Sequence, residues 1–252
     1  MKIITIANQK GGVSKTTTAL ALLDGLAERG FRVLGVDLDG QSNLTIAAGA
    51  DMAGPSALGI ITGELEAQQA IQHAADGVDL IPASRKLTNA DALIETGEEL
   101  KDALAKVSRK YDYCVIDTPP ALCKRTLSAL IASDTVIIPA RADLYSLQGI
   151  DELGDTIAGI QATRNKSLTV AGILLTACKS RTALHRDIAG PMEKLADDLG
   201  TALFDTCIRD SVKASEAQFS KAGLFKYAPR AGVTQDYREF ISELLERVNN
   251  GK

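Results

Sequence analysis

The sequence predicts an α/β fold: a doubly wound, mostly parallel sheet flanked by helices. Three observations predict it. Short apolar runs alternate along the chain with longer segments whose apolar residues recur at helical spacing. Aromatic residues are scarce, with Phe 5, Tyr 5 and Trp 0, which disfavours a β-sandwich and leaves Ala, Leu, Ile and Val to fill a core between sheet and helices. The first 37 residues read strand, glycine-rich turn, helix, strand, a βαβ unit whose crossover is right-handed.

The elements follow in order. Residues 2–8 (KIITIAN) are a continuous apolar run and form a buried strand. Residues 15–29 carry apolar side chains at helical spacing and stop at Gly30, a good helix terminator. Residues 31–37 (FRVLGVD) form the second strand. Further strands are expected at 78–82, 113–117, 135–140, 168–176 and 201–206, with helices at 98–109, 147–163, 184–199 and 234–248. Gly and Pro interrupt short helical pieces in residues 47–72, which are expected to decorate the domain without forming a second one. No linker, repeat or low-complexity stretch appears, so residues 1–252 read as a single domain.

Composition narrows the function classes. The chain has 252 residues, 28 Lys+Arg against 32 Asp+Glu, and a net charge of -4. That acidic balance argues against constitutive coating of nucleic acid by bulk charge. No stretch approaches the roughly 20 apolar residues of a membrane span. Gln9 and Lys10 interrupt the N-terminal apolar run too early for a signal peptide, so a cytoplasmic protein is expected. Cys114, Cys123, Cys178 and Cys207 are far apart and form no C-x-x-C pair, which favours small buried hydrophobes over a disulfide or a metal site. His73 and His185 suggest no catalytic triad.

The chemistry concentrates between the first strand and the first helix. Residues 9–17 (QKGGVSKTT) lie where open α/β sheets bind ligands. Successive backbone N–H groups at such a turn, together with the helix N-terminus, cradle phosphates. Lys15 would neutralise the β- and γ-phosphates, and the Thr16 hydroxyl would ligate Mg²⁺. The strict pattern G-x-x-x-x-G-K-[ST] fails, because Gln9 and Ser14 stand where its two glycines belong. Carboxylates at two strand ends add weight. The second strand ends in Asp37-Leu38-Asp39, whose acids at i and i+2 suit a hydrated metal and an attacking water. The later apolar strand ends in Asp117-Thr118-Pro119-Pro120, the form in which a carboxylate reaches a metal through its water shell.

With these motifs the sequence resembles the ParA/MinD group of P-loop ATPases, marked by a deviant Walker A motif that begins Lys-Gly-Gly, and it most resembles the ParA/Soj partition ATPases. The resemblance rests on ANQKGGVSKTTTALAL (7–22), VLGVDLDGQSNLT (33–45), YDYCVIDTPP (111–120), SDTVIIPARADLYSLQGI (133–150), GILLTACKSRTALHRD (172–187) and IRDSVKASEAQFSKAG (208–223). It implies ATP hydrolysis coupled to reversible dimerisation, with ATP and Mg²⁺ as cofactors. Lys10 matches the signature lysine that reaches the partner's phosphates, Asp39 the residue that positions the attacking water. Thr16 matches the direct Mg²⁺ ligand, and Asp37 and Asp117 the carboxylates on the metal side. Nucleotide contacts are implied for Lys10, Gly11, Gly12, Val13, Ser14, Lys15, Thr16, Thr17 and Asp117, and near the base for Ile208 and Arg209.

Three departures from the family pattern carry expectations. Ser14 replaces a usual glycine and is expected at negative φ. Gly40 replaces the proline of the usual Asp-Pro-Gln-Gly turn, leaving that loop more mobile. Ile208-Arg209-Asp210 replaces Ile-Pro-Arg, so the base contacts are the weakest part of the likeness.

The resemblance also implies a homodimer in the ATP state, non-specific DNA binding, nucleoid association and a ParB-like adaptor. The Lys-Gly-Gly loop starts at residue 10, which leaves no room in this sequence for an N-terminal helix-turn-helix domain. Residues 178–230 carry nine basic against seven acidic side chains, the one basic tilt in an acidic chain. The likeness places DNA contacts there, at Lys179, Arg181, Arg186 and Lys213, with Arg209 and Lys221 able to join them. A MinD-like or protein-cargo positioning ATPase is the alternative. The C-terminal helix, with Tyr237, Phe240, Ile241, Leu244, Leu245 and Val248 on one side and Glu239, Glu243 and Glu246 on the other, reads as a packing helix and not as a cationic membrane anchor. An iron–sulfur carrier would need a cysteine pairing that the spacing does not offer.

Overall fold

The structure, a computed structural model, describes residues 1–74, 77–178 and 183–249; the side chains of Leu144, residues 183–189 and Asn249 stand outside that description. Seven strands form one sheet: β1 (Lys2–Ile6), β2 (Val33–Asp37), β3 (Gln72–His73), β4 (Asp79–Ile81), β5 (Tyr113–Asp117), β6 (Thr135–Arg141) and β7 (Thr169–Thr176). Their order is β3-β4-β2-β5-β1-β6-β7, parallel throughout except for the β3–β4 pair. The chain leaves β1 over β5 to reach β2 and later returns to β1's other side with β6, so the order reverses at β1. The crevice at the carboxyl end of β1 is therefore where a doubly wound sheet places its ligand.

Side-chain alternation along the strands divides the core. Ile4, Ile6, Tyr113, Val115 and Ile137 point to one face and pack against helices α1 (Lys15–Glu28), α10 (Leu224–Tyr227) and α11 (Gly232–Asn249). Leu34, Val36, Cys114 and Ile116 point to the other face, under α5 (Glu99–Val107) and α6 (Lys124–Ala132). Val136, Ile138 and Ile173 join that second face and pack under α7 (Leu144–Thr163), with Met192 and Ala196 of α8 (Ala183–Asp198) alongside. Because both faces are covered, the strands read as continuous apolar runs, which is why the class is legible in the sequence. In α11, Tyr237, Phe240, Ile241 and Leu244 are at most 1% exposed and sit in the core with α1, as a packing helix requires.

Four expectations are corrected. Residues 201–206 form no strand; that segment touches β7 through the single bridge Ile173–Leu203. A parallel strand here would need a regular ladder, and instead Phe204 turns inward to stack edge-to-face on Phe240, 4.9 Å between centroids. Residues 47–72 do not merely decorate the domain. Ala57, Ile60 and Ile61 in α3 (Ala57–Ile61), with Ala67 and Ala70 in α4 (Ala67–Ala70), are buried against α5. Cys178 and Cys207, 6.4 Å apart at Cα, are joined as a disulfide, whereas their separation of 29 residues favours isolated thiols. Sequence distance says nothing of the pairing that brings the end of β7 beside residue 207. Cys114 is a buried free thiol, as expected, and Cys123 is free and half-buried. The fourth correction concerns Ser14, below.

Candidate functional site

A cleft of about 610 Å³ opens at the carboxyl end of β1, lined by Gly11, Gly12, Ser14–Thr17, Asp39, Gln41, Pro120, Ser215 and Gln218 among others. Its floor is the turn between β1 and α1. Asn8 anchors the turn at one end: its Nδ2 donates to the Pro139 carbonyl (2.8 Å), and its Oδ1 accepts from the Lys10 N–H (2.9 Å). Val13, fully buried, anchors the middle, its carbonyl accepting from the Thr176 hydroxyl (3.2 Å). Gly12 has φ 73, a conformation that favours glycine, and a Cβ on Gly11 or Gly12 would meet nothing within 4 Å. The turn thus stands open toward the cleft, with room for a ligand against its backbone.

Ser14 is the N-cap of α1 at φ 66, in the left-handed region, and its side chain makes no capping hydrogen bond. The expectation of a negative φ fails. The turn keeps the path that glycine takes in the strict motif, and serine bears it at a cost of about 1–2 kcal/mol. Ser42, φ 58, repeats the same device at the start of α2 (Asn43–Ala47).

The predicted polar residues converge. Lys15 is 8% exposed, and its Nζ donates to the Lys10 carbonyl (2.8 Å). The Thr16 hydroxyl donates to Asp117 Oδ2 (2.7 Å). Asp37 and Asp117 face each other in register at the ends of β2 and β5, both fully buried. Their hydrogen bonds differ. Asp37 Oδ1 accepts from the Asp39 N–H (3.0 Å), and its Oδ2 accepts from the Thr45 N–H (2.8 Å) and hydroxyl (2.6 Å). Asp117 Oδ1 is buried with no hydrogen-bond partner among the described residues. Asp39 is half-buried at the cleft, its Oδ1 accepting from the Gln41 N–H (3.0 Å).

These positions set the charges. Burial pushes Asp37 up to about 6, against the hydrogen bonds from Thr45 and Asp39 that hold it down. Burial, and then the charge of Asp37, push Asp117 well above the usual carboxylate range, while Thr16 and Lys15 pull it back. Burial lowers Lys15, and Asp117 and Asp39 oppose that. Three carboxylates around one buried lysine leave excess negative charge in a low-dielectric site. A divalent cation near Thr16 and the orphaned Asp117 oxygen relieves it, so the residues fit Mg²⁺. Among the described residues no group of three or more His, Cys, Asp or Glu side chains forms a metal site of its own.

Some predicted residues lie elsewhere. Lys10 Nζ is paired with Asp143 at the start of α7, 2.6 and 2.7 Å from its two oxygens. Ile208 is 3% exposed and belongs to the core, and Arg209 forms a two-pronged pair with Asp236, Nε and Nη2 each at 2.7 Å; neither lines the cleft. On α9 (Val212–Phe219), exposed Lys213 pairs with Glu216 at 2.8 Å. Lys179, Arg181 and the side chain of Arg186 lie outside the described residues. Sequence reasoning missed Asn8, Thr45, Asp143 and Gln218, whose Nε2 donates to Thr17 Oγ1 (3.0 Å). Of these only Asp143 left a signal, an Asp-x-x-Ser helix start in which the Asp143 carboxylate accepts from the Ser146 N–H (2.9 Å).

A mostly parallel sheet reversing at β1, with an open glycine-rich turn and a Lys-Thr pair at the mouth of α1, defines a P-loop nucleoside-triphosphatase domain. An AAA-domain family profile matches residues 1–170. Sporulation initiation inhibitor protein Soj of Bacillus subtilis is 35% identical over 250 residues, covering 96% of this chain and 98% of its own length. Chromosome-partitioning ATPase Soj of Thermus thermophilus is 35% identical over 246 residues, covering 97% and 96%. A solved Mycobacterium smegmatis protein, described as cobyrinic acid a,c-diamide synthase with bound ADP and magnesium, superposes with TM-score 0.85 at 31% identity over 100% of this chain and 97% of that one. An ATP complex of McdA from Cyanothece superposes with TM-score 0.87 at 26% identity, over 97% of this chain and 96% of that one. The chain belongs to the ParA/Soj family of ATPases.

Proposed function

We propose that this protein binds and hydrolyses ATP with Mg²⁺, closes as a homodimer when ATP is bound, and in that state binds DNA without sequence preference to position a DNA cargo. The observation that carries the chemical part is Asp117: one oxygen accepts from Thr16 while the other is buried without a partner among the described residues, at the foot of an open glycine-rich turn. The Soj relatives, matched along nearly their whole length, support partition as the use of that chemistry.

The residues divide the work. The turn's backbone N–H groups and Lys15 hold the β- and γ-phosphates. Thr16 and Asp117 hold Mg²⁺, which when bound neutralises charge on the phosphates. Asp39 orients the attacking water. Asp37 keeps Asp39 and α2 in place through the Asp39 N–H and Thr45, acting one step back from the ion. Lys10 completes the partner's site, acting as a transition-state cation that is present only in the closed dimer. Turnover is slow until an adaptor of the ParB kind stimulates it.

The DNA surface draws on the basic tilt of residues 178–230, with Lys179, Arg181, Arg186 and Lys213 as contacts. Lys213 must exchange Glu216 for a phosphate. Arg209 is committed to Asp236 and is not among the contacts. Phosphate contacts of this kind make binding fall with salt, and a dimer doubles the patch. The protein acts in the cytoplasm on nucleoid DNA; among the described residues no helix is long and apolar enough to cross a membrane.

The test is binding of a non-specific DNA duplex by the purified chain with ATP, with ADP and without nucleotide, at two salt concentrations. ATP-dependent, salt-sensitive binding that Lys10→Ala abolishes is expected, with Arg181→Glu and Lys213→Glu weakening binding but not ATP affinity. Binding that ignores the nucleotide, or survives Lys10→Ala, overturns the reading.

A further inference from the structure

The Cys178–Cys207 disulfide lies where the sheet edge meets the wall of the cleft. Two residues past the end of β7, the Cys178 N–H donates to the Ile208 carbonyl (3.0 Å), and the Asp210 N–H donates back to the Cys178 carbonyl (3.3 Å). Among the described residues the pairing of this segment with β7 consists of two isolated bridges, Ile173–Leu203 and Cys178–Arg209, with no continuous ladder. Four residues beyond Cys207, Ser211 caps α9, which carries Ser215 and Gln218 to the cleft and Gln218 onto Thr17. The bond therefore fixes the base of the element that closes the cleft from the C-terminal side.

We propose that Cys178 and Cys207 form a thiol–disulfide switch coupled to nucleotide binding. The inference rests on reading the cleft as the ATP site. With the bond made, residues 207–211 hold α9 in register and the Ser215–Gln218 wall is assembled. With the bond broken, the covalent tie at residue 207 is lost and the segment is held by noncovalent contacts alone, chiefly the Ile208 N–H on the Leu175 carbonyl and the Arg209–Asp236 pair, so the wall loosens. Both cysteine residues are half-buried and neither belongs to the closed core. In a compartment that holds DNA, thiol pools keep ordinary disulfides reduced, and a pair that does close there serves as a redox sensor.

The chemistry is exchange with a low-molecular-weight thiol–disulfide couple such as glutathione. A glutathione thiolate attacks one sulfur of the pair, giving a mixed disulfide and releasing the other cysteine as a thiolate, which takes a proton. The thiolate of a second glutathione then attacks the glutathione sulfur of the mixed disulfide and releases the second cysteine as a thiolate, which also takes a proton. Each cysteine sulfur gains one electron and one proton, and two glutathiones leave joined as their disulfide.

Coupling between two binding equilibria is reciprocal. If the oxidised form binds ATP about fivefold more tightly, at the low end of common coupling strengths, then ATP shifts the thiol–disulfide equilibrium fivefold as well, about 20 mV for a two-electron couple. The experiment equilibrates the full chain in glutathione buffers of graded redox ratio, with and without Mg-ATP. Acid quenching, alkylation and mass spectrometry then read the oxidised fraction, and calorimetry reads ATP affinity in each form. The expected result is tighter ATP binding by the oxidised form and a matching shift of the redox midpoint, with Cys178→Ser and Cys207→Ser binding ATP like the reduced protein in every buffer. A bond that never forms, equal ATP affinities, or a midpoint that ATP leaves in place overturns the inference alone. Absence of ATP binding in both forms overturns the nucleotide reading and this inference with it.

Discussion

The ammonium of Lys10 rests between the two carboxylate oxygens of Asp143, at 2.6 and 2.7 Å, with the Ser146 hydroxyl at 3.5 Å. Burial raises the Asp143 carboxyl, but the Lys10 hydrogen bond and charge and the Ser146 N–H outweigh that and hold it below its usual value. The lysine proposed above to serve a partner's phosphates is thus engaged within its own chain. On that proposal, closing the dimer breaks the pair. With side chains 27% and 34% exposed, the pair is worth up to about 1 kcal/mol after solvent screening.

Asp143→Asn separates the two roles of that residue, since asparagine caps helices as well as aspartate. The variant should keep α7 and release Lys10. ATP-dependent dimerisation, measured by sedimentation, should strengthen by up to about 25-fold, because closing a homodimer frees two such lysines and each pair of about 1 kcal/mol supplies a factor of about five. Weaker dimerisation would show instead that Asp143 organises the closed state.

Ser14→Gly removes a left-handed serine that makes no capping bond. The strain relieved, about 1–2 kcal/mol, exceeds the extra backbone entropy of glycine, about 0.5–1 kcal/mol. The melting temperature of the apoprotein should rise by about 2 °C, while Ser14→Ala, still held at positive φ, should gain nothing. A fall in Ser14→Gly would reveal a stabilising role for the hydroxyl that the structure does not show.

The sheet and the phosphate turn are legible in the sequence because both are local. A buried parallel strand is a continuous apolar run, and Lys15-Thr16 at a helix mouth is a fixed spacing. Thr45 on Asp37, Asp143 on Lys10 and Gln218 on Thr17 are not legible because they join elements 8, 133 and 201 residues apart. Helix α6 is hidden for a different reason. Its buried face mixes Arg125, Thr126 and Ser128 with Leu130 and Ile131, and Arg125 is satisfied by Asp91 and the Leu38 carbonyl, so polar residues interrupt its short apolar stripe. The left-handed Ser14 defeats a reading by residue type because the turn itself imposes the backbone angle.

Gly40, where the family usually has proline, is explained by its neighbour. A Cβ there would lie 2.3 Å from Thr88 Oγ1 and 2.7 Å from the Thr88 backbone nitrogen. The loop after β2 is therefore packed against the 3-10 segment Arg85–Leu93. Gly40→Ala should destabilise by about 1–3 kcal/mol, as overpacking does, and Thr88→Gly in the same chain should recover part of the loss. Chemical denaturation of the single and double variants measures both; a neutral Gly40→Ala would remove the steric account.

Tyr237 joins α11 to the nucleotide-binding helix, its hydroxyl 3.3 Å from the Thr18 hydroxyl on α1. Burial pushes its phenol from 10.0 up to about 12, with the Thr18 bond pulling the other way. The raised value fixes the sign of a pH effect. Below pH 10.0 the phenol is protonated in both folded and unfolded chains, and its contribution to stability is fully present. Between 10.0 and about 12 the unfolded chain releases the proton while the folded chain retains it, so stability is lost as pH rises through that window. The loss is on the order of 2 kcal/mol. Tyr113 and Tyr111 are raised as well, by burial first, and add a loss of the same sign. Tyr237→Phe cannot ionise, so its own share of the loss should vanish. Urea unfolding at about pH 8 should find the variant less stable by about 1 kcal/mol for the lost hydrogen bond. At about pH 11, inside the window, the gap should close or reverse. A gap that stays constant with pH would show that Tyr237 titrates alike in both states and that the α1–α11 contact does not exclude water as the structure depicts.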